Sequence, residues 1–317
     1  MKTEDDNFIF DKPHKEDLVF QVKKVITRIQ SMNYKRMLNK LPHFENNKKY
    51  YVSLCGIFKN EAPYLKEWIE YYKIVGVDHI YLYNNNSDDN FMEIIAPYVD
   101  ECFVTLVDWP YNQKQMEAYK DCAKRFRSET YWLGFIDIDE FVVPVVDDNI
   151  KSFFKRFNDR PSVLLYWRMF GTSGIKERDI QNTLVTESFV SSWPKYDDIG
   201  KCFLNTNYEI SDKQPILHHM LWTRYKGKDY PPVNCFDNVC PRDWYNPVPN
   251  NKFPIQINHY VLKSYNEYLA KVKKSDVFFK SNPKGQEHFQ RHEKRSTGTD
   301  TEIQKYVGEL KQAMKLK

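Results

Sequence analysis

Cysteines at metal-binding spacing and long apolar stretches are both missing from this sequence of 317 residues. Its six cysteines show no C-x-x-C spacing, which argues against a zinc site and favours reduced thiols. No apolar run approaches the roughly 20 residues that a membrane-spanning helix needs. The first residues, MKTEDDNFIF, lack the apolar centre of a signal peptide. We therefore expect a cytoplasmic protein.

The net charge of +4 is unevenly distributed along the chain. Residues 18–49 carry eight Lys and Arg against one acid, and residues 263–317 carry thirteen against seven. Residues 50–262 carry 23 against 29. Basic margins around an acidic centre favour anionic partners at the edges of the molecule. Because helix-turn-helix, RRM and zinc-finger patterns are absent from the sequence, we expect no nucleic-acid partner.

Aromatic residues make up 16% of a composition that is otherwise typical of a globular protein, with 41% hydrophobic and 28% charged residues. Such a content indicates either a core of large side chains or surfaces that stack sugars or bases. The length allows one large domain or two small ones.

The N-terminal region, residues 1–49, divides into two parts. Residues 1–17 are polar and acidic, and we predict that they are disordered. Residues 18–41 have the spacing of a basic amphipathic helix, whose apolar positions are Leu18, Val22, Val25, Ile29 and Met32. This helix could pack on the main domain or lie on an anionic membrane, and we favour packing.

From residue 50 the pattern becomes that of an α/β sheet. Apolar runs predict strands at 51–58, 79–83, 102–107 and 132–136, and helical spacing predicts helices at 62–75, 91–98 and 113–126. This alternation, with short links, favours a parallel sheet covered by helices. The loops after the strands then meet at one edge of the sheet, where such folds bind ligands. We expect a crevice of nucleotide size there.

Three carboxylates follow the fourth strand: Asp137, Asp139 and Glu140. Residues two apart in a strand point to the same side, so Asp137 and Asp139 are predicted to project together. Two hard oxygen ligands suit Mn²⁺ or Mg²⁺ that also binds phosphate and water. The plainer interpretation is an acidic turn in solvent.

An ordered set of short motifs resembles GT-A glycosyltransferases, in particular glycosyltransferase family 92 and its bacterial, family 2-like relatives. The motifs are KNE at 59–61, YNNNSDD at 83–89, Q-x-x-AY-x-x-C at 115–122, W-x-x-FIDIDEF at 132–141, W-x-x-FGTSG at 167–174, LV-x-ESF at 184–189, HH at 218–219 and NHY-x-x-KS at 258–264. Each motif alone is weak, but the ordered set is specific. It implies a Rossmann-like, mostly parallel GT-A domain over residues 50–264, followed by a helical, basic extension over residues 265–317.

The resemblance also implies a site for a nucleotide-diphosphate sugar in the edge crevice. The donor-binding residues it assigns are Asn60, Glu61, Asn84, Asp89, Gln115, Asp137 and Lys263. Asn84 departs from the family pattern, since relatives usually carry Asp there. The metal ligands it assigns, for Mn²⁺ or Mg²⁺, are Asp137, Asp139 and His259, and Lys201 would add a counter-charge. A divalent cation would stabilise the negative charge on the departing diphosphate.

If the enzyme inverts, a carboxylate must deprotonate the acceptor hydroxyl, and we predict that this base is Glu187, beyond the 170–174 turn. Its competitors are Asp179, Asp212 and Asp237.

Taken together, the sequence predicts a metal-dependent glycosyltransferase. Its donor would be a UDP-sugar and its acceptor a saccharide or glycolipid, in surface polysaccharide or lipopolysaccharide synthesis, with peripheral membrane association through the basic termini. One alternative is a non-catalytic saccharide-binding protein. Another is a D-x-D phosphotransferase, in which the nucleophilic Asp would follow the first strand rather than the fourth.

Overall fold

The structure, a computed structural model, describes residues 9–10, 17–213, 217–273 and 285–316. Most of the predicted disordered segment, 1–17, lies outside the described residues. The helices are α1 Leu18–Leu38, α2 Ala62–Ile74, α3 Phe91–Asp100, α4 Gln115–Phe126, α5 Ile150–Lys155, α6 Val185–Ser188, α7 Tyr265–Lys273, α8 Gln286–Arg295 and α9 Val307–Met314, and a 3₁₀ helix spans Glu302–Tyr306. The strands are β1 Tyr50–Phe58, β2 His79–Asn84, β3 Val104–Asp108, β4 Thr130–Phe135, β5 Glu140–Pro144, β6 Ser162–Met169, β7 Ser191–Ser192, β8 Gly200–Asn205, β9 Glu209–Ile210, β10 Thr223–Tyr225, β11 Lys228–Tyr230, β12 Val233–Asn234, β13 Ile255–His259 and β14 Gly298–Thr299.

A large, mostly parallel sheet organises the molecule, as predicted. Its order is β3-β2-β1-β4-β8-β6-β13-β5, with β12 also paired to β6. Strands β3, β2, β1 and β4 are parallel neighbours, while β8 runs antiparallel between β4 and β6. Because β8 runs the other way, its first residues lie beside the end of β4. The predicted α/β class is confirmed, and the sheet brings Lys201 to the edge where the acidic residues lie.

Helix α2 lies over the sheet and supports that edge. Pro63 occupies its first turn, where a missing backbone N–H costs nothing, and Gly76, at φ 89°, follows its end. Trp68, Tyr71 and Tyr72 are fully buried. Many of the abundant aromatic residues thus form the core. This confirms the interpretation that the high aromatic content reflects a core of large side chains.

Helix α1 forms as predicted, but it packs through the side opposite to the one expected. Thr27 and Leu38 are buried, and Tyr34 packs against Trp222 with ring centroids 5.6 Å apart. The apolar residues at 18, 22, 25, 29 and 32 are all exposed. Packing on the main domain therefore occurs without burying the predicted apolar face.

The C-terminal extension packs on the same core as the rest of the chain. Ile303 and Leu310 are buried in the main hydrophobic cluster, and α9 lies against α2. Helix α7 is attached through a buried pair, in which Arg178 donates to Glu267 at 2.7 Å. Within the described residues, no helix is long and apolar enough to cross a bilayer.

Candidate functional site

The loops after β1 and β2 bind to each other at the carboxyl edge of the sheet, as predicted. Asn60, at φ 55°, donates its backbone N–H to Ser87 Oγ at 3.0 Å, and its Oδ1 accepts from the Asp88 backbone at 2.9 Å. Asp89 Oδ2 accepts from the Ala62 backbone N–H at 2.9 Å, at the start of α2. These bonds unite both loops into one wall of the site.

Asn84 shapes this wall from inside the loop. Its Oδ1 accepts from the Ser87 backbone N–H at 2.9 Å, which closes a local turn. The other carboxylate oxygen of Asp89, Oδ1, is buried and has no hydrogen-bond partner among the described residues. One oxygen of this carboxylate therefore remains unsatisfied beneath the surface of the wall.

The two aspartates lie in a tight turn between β4 and β5 rather than in a strand, so the predicted alternation argument is wrong. β4 ends at Phe135, and the Glu140 backbone N–H donates to Asp137 O at 3.1 Å across the turn. Trp68 Nε1 donates to the carbonyls of Asp137 and Glu140, at 3.1 and 3.0 Å. The buried indole thus fixes the turn that presents both carboxylates.

Asp137 is held by three side chains. Its Oδ1 accepts from Gln115 Nε2 at 3.1 Å and from the Tyr119 hydroxyl at 2.9 Å, and its Oδ2 accepts from Lys201 Nζ at 2.7 Å. Burial acts to raise the pKa of Asp137, but the charge of Lys201 and the hydrogen bonds from Lys201 and Tyr119 together lower it. Attraction to Asp137 and Glu140 likewise raises the pKa of Lys201 against the opposing effect of its burial. Both groups are therefore charged.

Asp139 meets a cation that the sequence did not point to. Lys271 of α7 donates to its Oδ2 at 2.5 Å, and His259 Nε2 lies 3.6 Å from its Oδ1. Although burial opposes it, the pKa of Asp139 is held well below its usual value by Lys271 and His259. Lys271 was missed because its contact spans 132 residues of sequence; its one signal was the basic helix after the NHY-x-x-KS motif.

Glu140 lies beneath the two aspartates as a buried carboxyl. Its side chain is fully buried, and Lys201 Nζ lies 3.5 Å from its Oε2. Burial raises the pKa of Glu140 well above its usual value, more than the Lys201 charge lowers it. Burial thus opposes ionisation of this carboxyl, whose Oε1 lies 4.0 Å from His259 Nδ1.

Lys263 faces the same region from the segment after β13. It is buried at φ 55°, and its Nζ lies 4.1 Å from the centroid of the Tyr64 ring. Burial and the neighbouring Lys271 lower the pKa of Lys263, while Asp139 and Glu61 act in the opposite direction. Glu61 also raises the pKa of Lys271, behind the larger effects of burial and Asp139. The acids and lysines thus form one electrostatic cluster.

Among the described residues, the contacts of the proposed base and of its three competitors are with residues outside the acidic turn. Glu187 pairs with Lys311 of α9 at 2.6 Å, Asp179 accepts from Asn182, and the remaining two pair as Asp212 with Lys120 and Asp237 with Arg160. The structure therefore does not bring Glu187 into contact with the acidic turn, and its role stays a prediction.

The residues fit a divalent cation in part. Asp139 and His259 offer an ionised carboxylate and an imidazole at one place, which are suitable donors. Asp137 fits less well, because Gln115, Tyr119 and Lys201 already engage both of its oxygens. Across the described part of the chain, no group of three or more His, Cys, Asp or Glu is arranged to hold a metal.

The mixed, mostly parallel sheet with acidic residues at the carboxyl edge of its strands is an open α/β architecture, a class that binds ligands at that edge. More narrowly, the chain belongs to glycosyltransferase family 92, whose family model matches residues 48–306. The resemblance read from the motifs is thereby confirmed. The match runs past residue 264 and includes the segment that carries Lys271.

Individual relatives match over parts of the chain. A glycosyltransferase family 92 protein of Ricinus communis is 30% identical over 45% of this chain and 27% of its own length. The beta-1,4-galactosyltransferase galt-1 of Caenorhabditis elegans is 31% identical over 31% of this chain and 26% of its own. A galactan beta-1,4-galactosyltransferase of Arabidopsis thaliana is 30% identical over 34% of this chain and 24% of its own. The matched stretches thus span about a quarter of these relatives.

Among solved structures, S. aureus TarS in complex with UDP-GlcNAc aligns with 49% of this chain and 45% of its own, at 14% identity and a TM-score of 0.31.

Proposed function

We propose that this protein transfers a sugar from a UDP-linked donor to a saccharide or glycolipid acceptor. The observation that carries the proposal is the cluster at the carboxyl edge of the sheet, where ionised Asp137 and Asp139 lie among Lys201, Lys263 and Lys271. Such an edge is where open α/β sheets bind nucleotides. Membership in a glycosyltransferase family supplies the reaction class. The names of two relatives favour galactose as the first sugar to test.

The cluster suits a donor that leaves as a nucleoside diphosphate. Lys263 and Lys271 provide positive charge where negative charge grows on the departing phosphates, in a site whose buried walls strengthen the attraction. The wall formed by Asn60, Glu61 and Asp89 would receive the nucleoside. Gln115 acts indirectly, since it orients Asp137.

The proposal includes Mn²⁺ or Mg²⁺, held by Asp139 and His259. Binding requires that Lys271 release Asp139 Oδ2, and the freed ammonium remains available for the diphosphate. When bound, the cation acts as a Lewis acid that stabilises the charge on the departing group. Asp137 then serves to position the turn through Lys201 and Tyr119.

The acceptor and the biological role rest on the resemblance. A saccharide or glycolipid acceptor in surface polysaccharide or lipopolysaccharide synthesis is the role we propose. Glu187 remains the proposed base; it lies 2.6 Å from Lys311, and this pair would have to open for Glu187 to reach an acceptor hydroxyl.

The test is thermal melting with UDP, UDP-galactose, UDP-glucose, UDP-GlcNAc and GDP-mannose, each with Mn²⁺ or with a chelator. Ligand at one hundred times its dissociation constant should stabilise the native state by about 2.7 kcal/mol. We expect a shift with UDP compounds that is larger with Mn²⁺ and is lost in Asp139→Asn. The matched control, Asp212→Asn, changes an exposed carboxylate outside the cluster and should keep the shift.

Three outcomes contradict the proposal. If no nucleotide shifts the melting temperature under any metal condition, the cluster is not a donor site. If UDP-sugars bind but mass spectrometry detects neither donor hydrolysis nor transfer, the protein is a binding module. A phosphoenzyme trapped on Asp137 would instead identify a phosphotransferase.

A further inference from the structure

Helix α1 presents an apolar stripe on the side that points away from the domain. The stripe consists of Leu18, Val22, Val25, Ile29 and Met32, spaced by four or three residues so that they lie along one side of the helix. Each of them is between 54% and 81% exposed. With a rise of 1.5 Å per residue, the stripe is about 21 Å long. This is a continuous apolar surface, unlike a single exposed leucine, and such surfaces mark interaction sites.

The orientation of the stripe is fixed by the opposite side of the helix. Thr27 and Leu38 are buried there, and Ser31 Oγ donates to the Val239 carbonyl at 3.0 Å. Because these contacts hold α1 in place, rotating the stripe into the domain would break them. The stripe is therefore an outward surface of the folded protein.

The charges of α1 select among the partners that could cover the stripe. No acid lies between Asp17 and Glu45, whereas residues 18–49 carry eight Lys and Arg. Arg36 continues the line of the stripe one turn beyond Met32, and Lys23 and Arg28 are exposed on the same helix. A second copy of α1 would bring like charges together. A partner with negatively charged groups above an apolar layer, such as an anionic membrane, matches both the apolar stripe and the positive charge of the helix.

We propose that the stripe of α1 inserts into the interface of a bilayer containing anionic lipids, and that the cations of the helix contact the lipid phosphates. The helix lies parallel to the membrane and does not cross it. It is attached near the start of β6, where Arg160 and Lys35 both pair with Asp237, so it is at the sheet edge opposite to the acidic cluster. Membrane binding therefore leaves the donor site open.

The experiment measures sedimentation of the full chain with vesicles of phosphatidylcholine, with and without phosphatidylglycerol. We expect binding to the mixed vesicles that falls as salt increases, because exposed charges are screened. The combined substitution Val25→Asp and Ile29→Asp should lower the partition coefficient at least roughly tenfold, since each places a carboxylate in the apolar interface. The matched control is Val146→Asp, at a valine that is 74% exposed in the turn after β5, and it should bind like the wild type.

Two further measurements separate this proposal from its rivals. The melting temperatures of both variants, and their shift with UDP, show that the fold and donor site are retained. Equal binding to vesicles without anionic lipid, or undiminished binding of the Val25→Asp and Ile29→Asp variant, would overturn the proposal. The proposal would also be overturned if light scattering detected a dimer of the wild type that is absent in this variant, and if the wild type did not bind vesicles.

Discussion

The buried pair of Arg178 and Glu267 offers a sharp test of how the site is held together. Their side chains are 3% and 5% exposed, and two guanidinium nitrogens face the two carboxylate oxygens, at 3.3 and 2.7 Å. Glu267 lies in the first turn of α7, the helix that carries Lys271. The perturbation is Arg178→Met, which removes the charge and keeps a similar length. It should loosen the attachment of α7 to the domain.

The magnitude follows from what remains after the substitution. Glu267 keeps hydrogen bonds from the Ser264 backbone and hydroxyl, at 3.1 and 2.6 Å, but its buried charge loses the paired guanidinium and retains only the weaker attraction of Lys263. Breaking a buried pair in this way costs about 3–5 kcal/mol. The Thr183 carbonyl also loses its bond from Arg178. We expect the free energy of unfolding to fall by an amount in that range.

The loss should depend on pH. Burial pushes the pKa of Glu267 up, but Arg178 more than compensates and lowers it. In the wild type this pair contributes stability above the unfolded pKa of the carboxyl, and the contribution is lost as pH falls through the lower folded value. Without Arg178 the pKa of Glu267 rises, so a proton relieves the buried charge. The difference between wild type and variant should therefore be large at pH 8 and shrink toward about pH 4.

The assay is urea unfolding of both proteins across this range. Arg125→Met is the matched control, because Arg125 is 48% exposed in its pair with Asp121, and such a pair is worth about 0.5 kcal/mol. Combining Arg178→Met with Glu267→Leu should recover much of the loss, since no buried charge then remains. The reasoning is refuted if Arg178→Met costs no more than the control, or if its cost is independent of pH.

Two further predictions concern the sheet and the proposed base. Gly200→Ala would place a Cβ 1.8 Å from the Leu165 carbonyl oxygen, so β8 and β6 must separate, and urea unfolding should show a loss of about 3 kcal/mol or more in the free energy of unfolding. The control Gly308→Ala, in an open position of α9, should be neutral or stabilise the protein by up to about 1 kcal/mol. Equal effects of the two substitutions would contradict the packing argument. If Glu187 is the base, Glu187→Gln should leave the UDP-induced melting shift intact and lower the transfer rate by about a hundredfold. An unchanged transfer rate would show that Glu187 is not the base. Glu177→Gln is the control.

The elements that carry the acidic residues could be predicted because their signals are local. The strand before Asp137 is an apolar run, and the helix after Glu61 has both a start and a stop, in Pro63 and Gly76. The turn that holds the two aspartates was foreseen only as the plainer alternative, an acidic turn in solvent; its burial was not predicted, since its geometry depends on Trp68 from α2. The sequence pattern therefore located the carboxylates, but it did not predict the backbone conformation that positions them.

Long-range contacts account for the other differences. Lys271 reaches Asp139 across 132 residues, and Lys201 reaches Asp137 because β8 enters the sheet antiparallel beside β4. Periodicity within a helix or strand contains no information about such neighbours. The resemblance suggested Lys201 as a counter-charge, but its contact with Asp137 and the pairing of Lys271 with Asp139 were visible only in the structure.

The amino-acid sequence by itself determined the family, the alternation of strands and helices, and the acids at the carboxyl edge, because hydrophobic periodicity and short motifs act within a few residues. It also determined that α1 is amphipathic. The tertiary structure alone decided that the apolar side of α1 faces outward, since the competing side is bound by Ser31, Tyr34 and Leu38. It likewise decided which cations meet Asp137 and Asp139, because strand order and helix packing bring distant residues together.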